Sequence, residues 1–229
     1  MNPSCYQIQN FTGVMPFSIH QWFKHPLQVT FIWREDSRLW AWRSPSWWAK
    51  FKRLTQKYVY KKDPLLEMQR EAVYQLLSSL HQQGVSTRII GIGTTGDFSA
   101  VARDNRTTTI NDTIEREWCE LCAKSHIVIG VHGSHMLLPS AHAGSVIDLM
   151  PFNRWGNIAQ DIIHTPEQTP REAMARICFV PIETSAQKVA ELSLNMLKSL
   201  PNMMRSFRAE YSDFKEIKDY SLLRNQIKG

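Results

Sequence analysis

No apolar run in this 229-residue chain approaches the roughly 18 residues needed to span a bilayer, so no transmembrane segment is expected. The first residues, MNPSCYQIQNFTGVMPF, lack a basic stretch followed by an apolar core, which excludes a signal peptide at this start. Four scattered cysteines are too few for a disulfide framework. Cys119 and Cys122 form a C-x-x-C with no second pair to complete a zinc site. Inside a helix, cysteines three apart share one buried face, and that reading is preferred to redox chemistry. There is no internal repeat, no low-complexity tract and no recognised nucleic-acid-binding motif, so no nucleic-acid partner is expected. Asn10, Asn105 and Asn111 each begin an N-x-Ser/Thr triplet. They keep a secretory origin (Golgi or ER lumen) open if a segment precedes Met1; otherwise the cytoplasm is expected.

What is present is a basic chain, with 27 Lys and Arg against 21 Asp and Glu and a formal charge of +6. The excess is local. Between Trp33 and Lys62 nine basic residues meet two acidic ones, and the rest of the chain is close to neutral. The same region is rich in tryptophan, with six of the eight between Trp22 and Trp48. Such an arm suits stacking on bases or sugars, anchoring at a membrane interface, or packing against another domain.

The hydrophobic pattern alternates strand and helix. Leu27–Trp33 reads as a strand, then Pro64–Gln83 as an amphipathic helix capped by Asp63 and ended by Gly84, with Leu65, Met68, Ala72, Leu76, Leu77 and Leu80 as its apolar stripe. Thr87–Ile92 is the next strand. Gly93–Asn111 is polar, with a short strand expected at Thr107–Ile110. A helix capped by Asp112 or Thr113 runs to about Lys124. The apolar runs His126–Gly130 and Ser145–Met150 have the length of buried parallel strands, with a short helix between them. Asn157–Ile163 is a short helical stretch, Arg176–Pro181 the last strand, and Ser185–Leu200 a helix stopped by Pro201. Besides the short Thr107–Ile110 segment, five strands alternating with helices predict an α/β fold, a Rossmann-like doubly wound parallel sheet over residues 28–204. Residues 1–27 read as an irregular lead-in and 205–229 as a polar, partly helical tail.

In such sheets ligands lie beyond the carboxyl ends of the strands. The loop Val131–Ser134 falls there. Gly133 allows close backbone approach, the following helix offers free N–H groups, and His132 adds a side-chain donor: an anion-binding loop is expected. Arg34 and Arg38 stand at the carboxyl end of the first strand, where guanidinium groups bind phosphate in two-point geometry. Pairing with Glu35 and Asp36 is the equally open alternative. His132, His135 and His142 do not make a metal site, because the segment offers no acidic third ligand on a shared face. Gly91-Ile-Gly93-Thr-Thr-Gly96 matches G-x-G-x-x-G after a strand, with Asp112 about 20 residues on, which brings an NAD(P)-dependent oxidoreductase into view. That fingerprint also needs a helix opening at its third glycine, and only Asp97–Asp104 is available for one.

Ile129-Gly-Val-His-Gly-Ser, a short helix, and Ala143-Gly-Ser-Val-Ile-Asp-Leu-Met-Pro151 resemble the signature of the family sixty-one glycosyltransferases, which include EGF-domain O-GlcNAc transferases and plant xylosyltransferases. There the pattern is roughly G-x-H-G-A-G, a helix, then P-G-[ST]-V-V-x-E-hydrophobic-x-P. Arg34-x-x-x-Arg38 is similar to that family's strand-end arginines, and Glu117 falls near its Glu-Gln pair. The resemblance covers about Val29–Pro181. His135 stands where the family has a small residue, Trp118 where it has Gln, and Pro139 requires the short helix to kink or start a turn late.

The resemblance implies a GT-B transferase of which this chain is the C-terminal, nucleotide-sugar-binding half, with an N-terminal domain missing. It implies a nucleotide-sugar donor as substrate, a glycan or protein acceptor, and no separate cofactor or metal. Arg34, Arg38, His132, Gly133 and Ser134 would hold the diphosphate, and Asp148 stands at the family's Glu. No catalytic base is assigned. The alternatives are the oxidoreductase built on Gly91–Gly96 and a non-catalytic nucleotide-binding module.

Overall fold

A computed structural model of the chain describes residues 5–19, 22–36, 39–40, 63–158, 162 and 170–208. The Trp-rich arm beyond Trp40, Arg38, and the tail from 209 onward lie outside the described residues.

Six parallel strands form one sheet: β1 (Gln28–Trp33), β2 (Ser86–Ile92), β3 (Arg103–Thr107), β4 (Ile127–Val131), β5 (Ser145–Met150) and β6 (Ile177–Pro181). Their order is β3-β2-β1-β4-β5-β6. This is the doubly wound, Rossmann-like order, in which the chain builds outward from β1, returns, and builds the other way. The central strands are mostly apolar because both sheet faces are covered, and every residue of β4 and β5 is buried.

The helices are α1 (Cys5–Thr12), α2 (Pro64–Gln82), α3 (Asp112–Cys122), α4 (Leu137–His142), α5 (Pro170–Ala175) and α6 (Ala186–Arg208). On one face α2 and α6 pack over Val29, Phe31, Ile89, Ile127, Ile129 and Ile147. On the other, α3 and α4 cover Ile32, Ile90, Val128 and Val146. Asp63 caps α2 by accepting from Leu65 N at 3.0 Å, as expected. The cap of α3 is Asn111, whose side chain accepts from Ile114 N at 3.0 Å, one residue before the expected Asp112 or Thr113.

The sixth strand is the main departure from the sequence reading. β3 begins at Arg103, not Thr107, and its sequence RDNRT has no apolar alternation. It lies at the sheet edge, where charged side chains suit an exposed flank. Arg106 fixes it: the guanidinium lies 5.0 Å from the Trp33 ring centre and 4.8 Å from that of Phe98, and donates to Thr95 O at 2.6 Å and Gly96 O at 2.7 Å.

The last helix also overruns its expected stop. Pro201 lies inside α6, which continues to Arg208. A helical proline cannot donate to the carbonyl four residues back, which here belongs to Leu197. The buried Trp22 indole donates to that carbonyl instead, at 3.1 Å, so the missing bond is replaced.

Trp22 belongs to the stretch expected to be irregular. That stretch opens with helix α1, whose Ile8 packs with Ala141, Leu137 and Leu138. Phe17 N donates to His142 O at 2.7 Å. Two buried histidines complete the attachment. His126 Nε2 lies 2.7 Å from Trp22 O while Nδ1 accepts from Gln28 N at 3.1 Å, an arrangement that only the neutral ring satisfies. His142 has Leu138 O at 2.8 Å from Nδ1 and Thr12 Oγ1 at 2.9 Å from Nε2.

Burial holds the pKa of both rings below the ordinary 6.5, only partly offset by their backbone hydrogen bonds. The folded state therefore binds fewer protons than the unfolded one, and stability falls as pH drops through 6.5. Thermal unfolding across pH 5–8 is expected to show a midpoint that declines on the acid side. His126→Gln, which cannot titrate, should flatten the slope; an unchanged slope in that variant would assign it to other groups.

Candidate functional site

Because the strands are parallel, their carboxyl ends share one edge, and the winding direction reverses between β1 and β4. A crevice opens at such a reversal, since the connections after the two strands leave toward opposite faces. Here it is a cavity of about 680 Å³, within the usual range for small-molecule sites. Its floor is Ile32 and Ile90; its walls are the segments after β1 and β2, the inner side of α3, and Ser134, His135, Leu138 and Pro139.

Arg34 sits at the centre of this edge. Its Nη1 is 2.8 Å from His135 Nδ1, and its guanidinium forms a two-point ion pair with Asp36. A Cβ added to Gly133 would lie 2.9 Å from Arg34 Nη1 and 2.9 Å from His135 Nδ1. The backbone at Gly133 is extended, with φ 162° and ψ 174°, so glycine is needed here for space and not for conformation. Arg34 is itself held from behind. Gln69, buried on α2 where the apolar stripe was expected to carry Met68, donates from Nε2 to Arg34 O at 2.7 Å and accepts from Trp40 N at 2.9 Å. Sequence periodicity places Gln69 on the buried face but gives no hint of its task.

Gly133 is followed by a 3-10 turn, Ser134–Met136, in which Met136 N donates to Gly133 O at 2.9 Å. The α-helix starts only at Leu137, so Pro139 lies in its first turn, where a missing N–H costs nothing. Ser134 is exposed and lines the cavity with His135.

His132 and Asp148 take a different place. Both are buried, on the α3–α4 side of the sheet, and neither lines the cavity. His132 Nδ1 is 3.1 Å from Asp148 Oδ2. Burial raises the Asp148 pKa and the imidazole pulls it back down. The pair ties β4 to β5 directly beneath the 133–135 turn, and so positions that turn. Glu117 is exposed and turned away; the residues of α3 that reach the cavity are Glu115, Trp118, Cys119 and Cys122, a face spaced three and four apart. Cys119 and Cys122 are free thiols, and burial pushes Cys119 up to about 11 and Cys122 higher still, so neither is a ready nucleophile.

The Gly91–Gly96 loop forms the opposite wall. All three glycines have positive φ, and no helix opens at Gly96. The chain fills the loop with its own anion. Glu35 Oε1 accepts from Thr95 N at 2.7 Å and from Trp33 Nε1 at 3.0 Å. These bonds keep its carboxyl below the ordinary range although burial opposes them as the largest single influence. Among the described lining residues Arg34 thus shares the cavity with three carboxylates, those of Glu35, Asp36 and Glu115. No group of three or more His, Cys, Asp or Glu suited to a metal occurs among the described residues, and no described helix is long and apolar enough to cross a membrane.

No protein-family model matches the chain, and no curated protein matches it significantly.

Proposed function

We propose that the cavity holds the diphosphate of a nucleotide-sugar, and that the chain is the donor-binding half of a GT-B glycosyltransferase. The observation that carries this reading is the approach of the Arg34 guanidinium to Gly133, at the point where the sheet reverses direction. Glycine there leaves room for phosphate oxygens against the backbone, and Arg34 supplies a charge that persists at any working pH. In glycosyl transfer the nucleoside diphosphate leaves with added negative charge. Cations and donors fixed beforehand at that spot lower the barrier. Ser134 adds a hydroxyl, and His132 with Asp148 keeps the turn in place. An incoming diphosphate replaces Asp36 on the guanidinium, and the seven-charge excess of residues 33–62, Arg38 included, favours its approach. The acceptor and the base that activates its hydroxyl belong to the half that this reading leaves outside the chain.

The oxidoreductase reading is disfavoured by Glu35, whose carboxylate already takes a backbone donor of the glycine loop and would repel a pyrophosphate there. Thermal denaturation with UDP, GDP and NADH separates the alternatives. Stabilisation by a nucleoside diphosphate and none by NADH is expected. Stabilisation by NADH alone would replace this reading with the dehydrogenase one. Stabilisation by UDP or GDP with no transfer from any nucleotide-sugar, even with a supplied N-terminal half, would leave a binding module.

A further inference from the structure

The cavity extends well beyond Arg34. From β4 across β1 and β2 to β3 there are three strand spacings, roughly 14 Å, which is about the length of an extended nucleoside diphosphate. The near end carries Arg34 and the Gly133 turn. The far end is apolar: Ile92, Ile110 and Trp118 line it, with Glu115 on the same side of α3, one turn before Trp118. Ile92 and Ile110 line the cavity and are 43% and 47% exposed, large aliphatic side chains left in contact with solvent. Trp118 is fixed, its Nε1 donating to Asn105 O at 3.3 Å and its ring packed against the lower core. Between the two ends the Gly93–Thr95 backbone is closed to anions by Glu35.

We infer that this far end is the seat of the nucleoside: Trp118, with Ile92 and Ile110, takes the flat base, and Glu115 accepts from a pair of neighbouring donors on the ligand. The inference rests on the reading of Arg34 and Gly133 as the diphosphate site. Among the described residues, the apolar side chains that line the cavity at a nucleoside's length from that site are Ile92, Ile110 and Trp118. The opposite orientation would set phosphates against Glu115, like charge against like charge with no cation among the described residues beside it. A carboxylate can only accept, so Glu115 selects for adjacent N–H or O–H groups. Two parts of a nucleotide present them, the ribose diol and the amino-bearing edge of guanine. The nucleoside, more than the diphosphate, therefore sets affinity, because Arg34 must first give up Asp36.

Titration calorimetry of the full chain with inorganic pyrophosphate, UDP, GDP and 2′-deoxy-GDP tests this. At least one nucleoside diphosphate is expected to bind 10-fold or more tighter than pyrophosphate. Trp118→Leu should remove about 10-fold of that advantage and leave pyrophosphate affinity unchanged, while Trp118→Phe, which keeps a ring, retains most of it. Glu115→Gln should lower nucleotide affinity and abolish a preference for GDP over 2′-deoxy-GDP if the diol is the donor pair, or for GDP over UDP if the base edge is. Pyrophosphate binding as tightly as every nucleotide to the parent chain overturns the nucleoside seat and leaves the phosphate site standing. Binding of none of these ligands overturns both. The comparison between ligands needs no variant, so a folding defect in one does not blur the result.

Discussion

Arg34→Ala is expected to weaken binding of a nucleoside diphosphate by about 10- to 100-fold, because a hydrogen-bonded charge on phosphate contributes about 1.5–3 kcal/mol. The prediction separates function from fold. The Arg34 side chain is 17% exposed and its described ionic partner, Asp36, is 55% exposed, so an ion pair of this kind adds little to stability. The midpoint of thermal unfolding should therefore move by only a few degrees. Arg34→Lys keeps the charge but loses the two-point fork, and should recover part of the affinity. Asp36→Asn should act in the opposite direction, raising affinity several-fold by removing the competitor for the guanidinium. Calorimetric titration at two salt concentrations reads all three, and the wild-type affinity should fall with salt more steeply than that of Arg34→Ala. Unchanged affinity in Arg34→Ala would remove the diphosphate site.

The fold was legible in the sequence wherever a strand is buried on both faces. β1, β4 and β5 are dominated by buried apolar residues, and α2 carries both a cap and a stripe. β3 was not legible there, because an edge strand held by Arg106 and the Arg88–Asn105 contact needs no apolar residue. The true end of α6 was hidden for a related reason. Proline stops a helix only when nothing else satisfies the freed carbonyl, and here an indole from 175 residues earlier does so. At the site, Arg34, Gly133 and Ser134 could be placed by reasoning from strand ends alone. His132 and Asp148 could not be assigned to the buried pair, since a residue just past a strand can turn either into the cleft or into the sheet's own layer. Glu35 was the least legible. Its neighbours in sequence suggested a partner for Arg34, whereas its carboxylate reaches across to the glycine loop and takes the backbone donor that a cofactor would need.

Gly91 tests how the two sides of the crevice are joined. It pairs with Trp33 across β1 and β2 and has φ 122°, a conformation nearly closed to any residue with a side chain. A Cβ there would lie 2.8 Å from Trp33 C and 2.9 Å from Trp33 N, and closer still to the carbonyl oxygen. None of those atoms is the end of a flexible side chain, so the strands themselves must part. Backbone strain of about 1–3 kcal/mol and overpacking of similar size add to about 2–6 kcal/mol. Domains of this kind have about 5–15 kcal/mol in total, so Gly91→Ala is expected to fold poorly or melt well over ten degrees lower. Gly93→Ala is the informative contrast. It has a similar φ of 128°, but the atoms nearest its Cβ all belong to the side chain of Glu35, which can swing aside. It should cost less stability and displace the carboxylate from Thr95 N. If the two variants melt together, the close β1–β2 contact at Trp33 is not what sets the cost. If Gly93→Ala is the milder variant and its glycine loop still binds no NADH once Glu35 is moved, the loop's geometry is unsuited to that cofactor for reasons beyond its built-in anion.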